Sequence, residues 1–340
     1  MHLLDELETL EGYRQRFWDA TLWSPYGLEA CQRAGLPALN AGAAGIQGTC
    51  PTVIVRGHDD QRWVVKFYGR LFDGAQAFAV ERDAARLLAL DPRIQAAPLL
   101  AEGALFAKDQ DRNRTRPAWD WPYLIFGFVP GQSAGRGMAN IPMADRAPAA
   151  RSLGEQVRRI HRLPLEGSAV FADGLQSYAQ FLASQRTGAT ERQRAWGSLP
   201  ARLADQMEGF LLPTADLLAT GRPLHLIHAD LTGDHLLGET RDGIWQACGL
   251  IDFGDAMAGS LAYELGALRM DLLAAPDEDE ARALLAAFLD GYGLPKRARA
   301  GLPRRALSAA LLHNFDLFAG CQAAQQARSL EELAARLYEA

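Results

Sequence analysis

Two carboxylates and a histidine stand close together in the last third of the chain. Asp230 lies in His228-Ala229-Asp230-Leu231-Thr232-Gly233-Asp234-His235, and Asp252 in Leu250-Ile251-Asp252-Phe253-Gly254-Asp255. Apolar runs flank both segments, so two strand-borne carboxylates a short hairpin apart can face one cleft. Phosphoryl transfer needs such a pair. One carboxylate orients an acceptor hydroxyl and takes its proton; the other holds a divalent ion on the phosphate oxygens. Asp-Phe-Gly is a common turn and His-x-Asp arises by chance, but both in this order, each beside a strand candidate, point to phosphate chemistry.

A lysine with the right surroundings precedes them. Lys66 stands in Trp63-Val64-Val65-Lys66-Phe67-Tyr68, among apolar strand residues and after the glycine-rich segment Asn40 to Thr49. The helical pattern from Ala77 to Leu90 then offers Glu81 and Asp83 as its partner. These lie about 200° apart around a helix, so only one can face Lys66. Spacing to Leu87 and Leu90 favours Asp83 and side-chain length favours Glu81, which leaves the choice open. Gly45, Gly48 and Thr49 can lay backbone N–H groups over phosphates, although a plain glycine-rich loop reads the same way.

The elements that must position these groups follow from periodicity. Helical spacing is expected over the first forty residues, with Phe17, Trp18, Leu22 and Trp23 apolar. A hairpin follows, Val53–Val55 and Trp63–Tyr68 around the polar turn His58–Gln61, and another strand at Tyr123–Phe126 after the charged stretch Lys108 to Arg116. Beyond Pro130 helical patterns dominate: Arg146–Arg162, Leu175–Leu182, Leu199–Ala219, Asp277–Tyr292 and Arg304–Ala319. Strand candidates His235–Leu237 and Trp245–Ile251 interrupt them. The pattern implies an α+β chain with a small β-rich lobe at 1–130, a hinge near 126–131 and a larger helical lobe at 131–340.

Composition narrows the partners. The 340 residues carry a net charge of -6, which argues against a phosphate backbone as ligand, so no nucleic-acid partner is expected. No apolar stretch is long enough for a membrane helix, and the acidic N-terminus does not read as a signal peptide, so a cytoplasmic location is expected. Cys31, Cys50, Cys248 and Cys321 lie far apart with no CxxC pair, as buried free thiols would.

With these residues in place, the chain resembles the aminoglycoside phosphotransferase family of the protein-kinase-like fold. The resemblance spans most of the chain. Phe17-Trp18, Val65-Lys66-Phe67, Trp121-Pro122-Tyr123-Leu124, Ile160-His161-Arg162-Leu163-Pro164-Leu165, Arg194-Ala195-Trp196-Gly197 and Leu312-His313-Asn314-Phe315 are most similar to its hygromycin B 7''-O-phosphotransferase subgroup. No Ala-Pro-Glu signature follows Gly254, unlike protein kinases proper. The resemblance implies a bilobal kinase-like fold using Mg2+ with ATP or GTP. Asp230 matches the catalytic base, Asp252 the metal-binding aspartate and Lys66 the lysine on the α- and β-phosphates. Gly127 carbonyl and Val129 N–H match the groups that meet the adenine edge. One position departs from the family: His235 stands where an asparagine usually serves as second metal ligand. A neutral imidazole suits magnesium less well than oxygen does, and Asp234 is the alternative. Glu264 stands where the family more often has Asp, in a mainly structural role.

On the acceptor side, Pro223 to Ala340 holds seventeen Asp and Glu against ten Lys and Arg. Such a surface draws cationic amino sugars. Asp316, Asp271 and the stacking surface of Trp196 are the candidate contacts, whereas Asp277–Glu280 reads as a solvated helix N-terminus. Alternatives are a kinase of a small hydroxylated metabolite, a catalytically dead nucleotide-binding module, and an Fe(II) oxygenase using His228, Asp230 and His313. The last requires a β-barrel that the helical patterns after residue 260 contradict. Composition leaves the oligomeric state open.

Overall fold

The structure is a computed structural model that describes residues 3–44, 49–106, 118–218 and 224–340. Gly45, Gly48 and the charged stretch Lys108 to Arg116 lie outside the described residues. The chain divides into two units, Met1–Ala89 with Ala96–Val129, and Leu90–Gln95 with Pro130–Ala340. The short segment Leu90–Gln95 thus belongs with the second unit: Gln95 donates its N–H to the Gln156 side chain and its carbonyl accepts from Leu250 N–H.

The first unit opens with a 3-10 turn, Leu3–Glu8, then α1 (Leu10–Arg16) and α2 (Ala20–Arg33). α2 starts where Asp19 leaves helical backbone and its carboxylate accepts the N–H groups of Thr21 and Leu22 at 3.0 and 3.2 Å. The expectation of helix throughout the first forty residues fails at its end. Gly35 turns left-handed just past the helix, and the chain leaves it as a strand, β1 (Ala38–Ala44). β2 (Thr52–Gly57), β3 (Arg62–Phe67), β4 (Leu99–Ala104) and β5 (Pro122–Gly127) complete an antiparallel sheet of order β1-β2-β3-β5-β4. The β2–β3 hairpin closes through Gly57 N–H to Gln61 O. Alternate residues of β2 face a core built with α2, where Trp23 stacks on Phe67 at 5.0 Å and meets Trp121 at 5.1 Å. α3 (Gly74–Leu88) lies near β4 and β5 and carries Glu81 and Asp83.

The second unit runs through β6 (Gln132–Ser133) and α4 (Met143–Ile160) to α5 (Gly174–Arg186) and α6 (Ala189–Trp196). The single helix expected at Leu199–Ala219 is three short ones, α7 (Ala201–Ala204), α8 (Met207–Phe210) and α9 (Thr214–Leu218). Pro213 bars helical continuation into α9. At the first break, Gln206 uses its amide to reach Arg202 O and Arg328 O and to accept from Leu330 N–H. Next come β7 (His225–Ile227), β8 (Leu236–Arg241), β9 (Ile244–Leu250) and β10 (Met257–Gly259). β8 and β9 pair as a hairpin with β6 beside β8, and β10 returns antiparallel to β7.

The remaining helices are α10 (Leu261–Met270), α11 (Glu278–Tyr292), α12 (Lys296–Arg299), α13 (Leu302–Leu311), α14 (Gln322–Gln326) and α15 (Leu330–Tyr338). α4 lies against α11, and Gly154 and Gly291 admit the close approach, since a Cβ on either would strike the backbone of Phe288 or Arg151. α13 stops at Leu311 rather than running to Ala319: Leu312 and His313 donate their N–H groups only three residues back, to Ala309 O and Ala310 O, and beyond them Asp316 takes the N–H of Phe318 into a local turn. All four cysteines are free; Cys31 and Cys50 are buried, Cys248 and Cys321 half-buried. No described helix is long and apolar enough to cross a membrane.

Candidate active site

The second unit assembles its chemical groups at the ends of two strands. β7 runs into His228-Ala229-Asp230, and β9 runs into Ile251-Asp252. The segments are tied together: His228 Nε2 lies 3.0 Å from Ile251 O, and Ile251 N–H donates to His235 O at 3.1 Å. A carbonyl only accepts, so His228 donates from Nε2. Burial pulls its pKa down to about 3, and the ring is a neutral strut.

Both acidic loops hold a non-glycine residue in the left-handed region, Ala229 at φ 65° and Asp252 at φ 64°. Such backbone costs about 1 kcal/mol or more and persists only where the surroundings fix it. Glu264 on α10 fixes the first. Its two carboxylate oxygens accept the N–H groups of His228 and Ala229 at 3.1 and 2.9 Å. The Glu264 side chain is fully enclosed, and burial pushes its pKa up to about 7 against the pull of those two donors. Asp271, just past α10, accepts Gly233 N–H at 2.7 Å and secures the far side of the same loop.

Asp230 thus sits on a rigid loop, with three further carboxylates acting on it. Burial raises its pKa to about 6; Asp255, Asp252 and Asp271 add to the rise, and His235 opposes it. A carboxylate that ionises near neutrality is suited to take a proton from a hydroxyl. His235 is 8% exposed. Its Nδ1 lies 2.6 Å from Asp230 O and 3.1 Å from Thr232 Oγ1, while its Nε2 lies 4.0 Å from Asp252 Oδ2. Asp252 with His235 can therefore hold a divalent ion. Two protein donors suffice for an ion that takes its remaining ligands from phosphates and water. Asp234 is exposed, unlike the buried His235 beside it.

The first unit has its own polar cluster. Lys66 on β3 meets Glu81 Oε2 on α3 at 2.7 Å, and Tyr68 donates to the same oxygen at 2.5 Å. All three are buried. The choice between the two acids therefore falls on Glu81. Asp83, also buried, pairs with Arg82 at 2.9 Å and lies 3.8 Å from Arg86. Thr49 is exposed, and its carbonyl accepts the Tyr13 hydroxyl. Gly127 closes β5 opposite Trp63, and the Val129 N–H has no acceptor among the described residues.

On the acceptor side, Ser198 donates to Asp316 Oδ2 at 2.5 Å, two residues after Trp196, which is half-buried with Arg192 over its ring at 5.7 Å. Trp196 and Asp316 thus belong to one neighbourhood, whereas Asp271 serves the Asp230 loop. Both Asp316 oxygens already accept, one from Ser198 and one from Phe318 N–H. His313 is fully buried and stacks on Tyr263 at 4.4 Å, a core residue rather than a contact. Sequence reasoning passed over Asp255 and the His228 strut. The acid three residues after Asp252 is a visible signal; the strut leaves none beyond the motif itself.

A family model described as "Phosphotransferase enzyme family" matches residues 47–306. Among solved structures, the GDP complex of wild-type aminoglycoside 2'-phosphotransferase-IIIa is 19% identical, covers 93% of this chain and 99% of its own, with a TM-score of 0.62. The streptomycin and ATP ternary complex of APH(2")-IIa is 14% identical over 93% and 98% of the two chains, TM-score 0.53. The apoenzyme of macrolide 2'-phosphotransferase from Brachybacterium faecium is 22% identical over 93% and 98%, TM-score 0.50. At these identities the likeness is one of fold.

Proposed function

The chain belongs to this phosphotransferase family, and from that premise we propose that it moves the γ-phosphate of ATP or GTP to a hydroxyl of a cationic aminoglycoside, hygromycin B first among them, as an antibiotic-resistance enzyme would. The observation that carries this reading is the tie between the two acidic loops, His228 Nε2 to Ile251 O, with the Asp230 carboxyl raised toward neutrality beside Asp252. In this reading Asp230 accepts the proton of the attacking hydroxyl. Asp252 and His235 would hold a divalent ion, magnesium in the family, which supplies charge neutralisation on the phosphates when bound. Lys66, oriented by Glu81, would carry the α- and β-phosphates, with Thr49 a further nucleotide contact in this reading. Gly127 carbonyl and Val129 N–H would read the base edge. Trp196, Asp316 and Asp271 are the proposed acceptor contacts.

The nucleotides named in the solved relatives, GDP and ATP, support a nucleoside triphosphate as donor without choosing between them. Aminoglycoside specificity rests on the motif resemblance and on the acidic C-terminal portion. A second reading, a kinase of a small hydroxylated molecule of lower charge, is favoured by Asp316 and Asp271, whose carboxylates accept internal hydrogen bonds. A coupled assay of ADP and GDP release over aminoglycosides and small hydroxylated metabolites separates the two. Turnover confined to the metabolites would overturn the aminoglycoside reading.

A further inference from the structure

We propose that the second unit holds a further ligand site, a cavity built around Arg269 that takes a small molecule through an oxyanion, phosphate or carboxylate. The cavity has a volume of about 590 Å³, inside the range of about 300–1,000 Å³ common for small-ligand pockets. Its wall comes from the turn after β6, the end of α10, the start of α11, and from α14 and α15. Arg269 and Arg136 both line it.

The argument is one of charge. Arg269 is 6% exposed, with Nε donating to Leu337 O at 2.7 Å and Nη1 to Leu273 O at 3.4 Å. Among the described residues it forms no ion pair, and its Nη2 has no acceptor. A guanidinium keeps its proton at any ordinary pH, and a charge withdrawn from water is costly unless an opposite charge meets it. The two acids in the wall are already engaged. Glu278 meets Arg336 at 3.0 Å, and Asp277 caps α11 by accepting Glu280 N–H at 3.1 Å. Arg336 is held by Glu332 as well, at 2.9 Å. Arg136 has a side chain 58% exposed; its Nη2 donates to Ala319 O, and its Nε stands 4.0 Å from Asp271 Oδ2. That pairing is loose, and Asp271 already accepts Gly233 N–H through its other oxygen. Tyr338, directly after Leu337, keeps a buried hydroxyl without a partner among the described residues. What the wall leaves uncompensated is therefore positive. Guanidinium forks match the paired oxygens of a phosphate or carboxylate.

The experiment is calorimetric titration of the full chain with inorganic phosphate and, separately, with succinate. The wild type is expected to bind at least one of them with a dissociation constant of about 1 mM or tighter, as ligands of this size allow. The tighter of the two names the charged group of the ligand. Arg136→Gln, a change at an exposed side chain, should weaken that binding about tenfold, and Arg269→Gln should remove it. Thermal melts check that both variants fold; if Arg269→Gln does not, Arg136→Gln alone decides. Absence of binding by either probe overturns the proposal. So does binding that the folded variants leave unchanged, which is the result expected if phosphate sits at Lys66 instead.

Discussion

Replacing Asp230 by asparagine should disable the protein and stabilise it at the same time. The carboxyl is half-buried with Asp255, Asp252 and Asp271 acting on it, and its pKa rises from an ordinary 3.8 to about 6. A group whose folded pKa exceeds its unfolded one favours the protonated form on folding. The ionised form is then a penalty, absent below pH 3.8, growing between 3.8 and 6, and complete above 6. The rise corresponds to at most about 3 kcal/mol at pH 7.5. The substituted asparagine would be neutral at every pH and nearly the same shape, and the backbone contacts of this position to His235 and Thr232 remain. The metal-free variant should therefore melt up to about 4 °C above wild type at pH 7.5. That advantage should shrink as the pH falls toward 4. Turnover should fall by about 10²- to 10⁴-fold with nucleotide binding retained. Thermal melts from pH 4.5 to 8 without divalent ion, paired with a diphosphate-release assay, measure both arms. A variant no more stable than wild type at pH 7.5 would refute the electrostatic reasoning, and near-normal turnover would refute the role.

Other perturbations address the supports. Glu81→Ala removes the 2.7 Å carboxylate partner of buried Lys66, so a loss of up to about 3–5 kcal/mol in chemical denaturation is expected. Asp83→Asn, facing surface arginines, should cost less than half of that. Glu264→Gln turns one acceptor of the His228 and Ala229 N–H pair into a donor, which should lower kcat with little change in nucleotide KM and cost about 2 kcal/mol, read from steady-state kinetics and melts. With Asp230 as base, activity should be lost as pH drops below about 6, and a bound divalent ion should move that limb to lower pH. An acid limb that is unchanged in Asp230→Glu and insensitive to the ion would point to another group.

The chemical centre was legible because its signal is local. Both acidic motifs carry their own strands, and the β2–β3 hairpin and the helices at 143–160 and 278–292 follow from turn residues and period. What escaped depends on long-range contacts. β1 looked helical until pairing with β2 is known, and the break at Asp205–Gln206 needs Gln206 to reach a segment more than a hundred residues away. Glu81 and Asp83 are both buried, so burial alone could not choose between them; only their neighbours, Lys66 and Tyr68 against Arg82 and Arg86, do so. The seat of the His235 ring against the Asp230 carbonyl depends on where that carbonyl lies and has no trace in residue type.

The most direct test of phosphoryl transfer by this site is product analysis by mass spectrometry after the chain is incubated with ATP or GTP, divalent ion and a panel led by hygromycin B. One acceptor class is expected to gain a phosphate on a hydroxyl, with matching diphosphate release that Asp230→Asn abolishes. Nucleotide that binds but gives no phosphorylated product with any acceptor, or transfer that survives in Asp230→Asn, would contradict it.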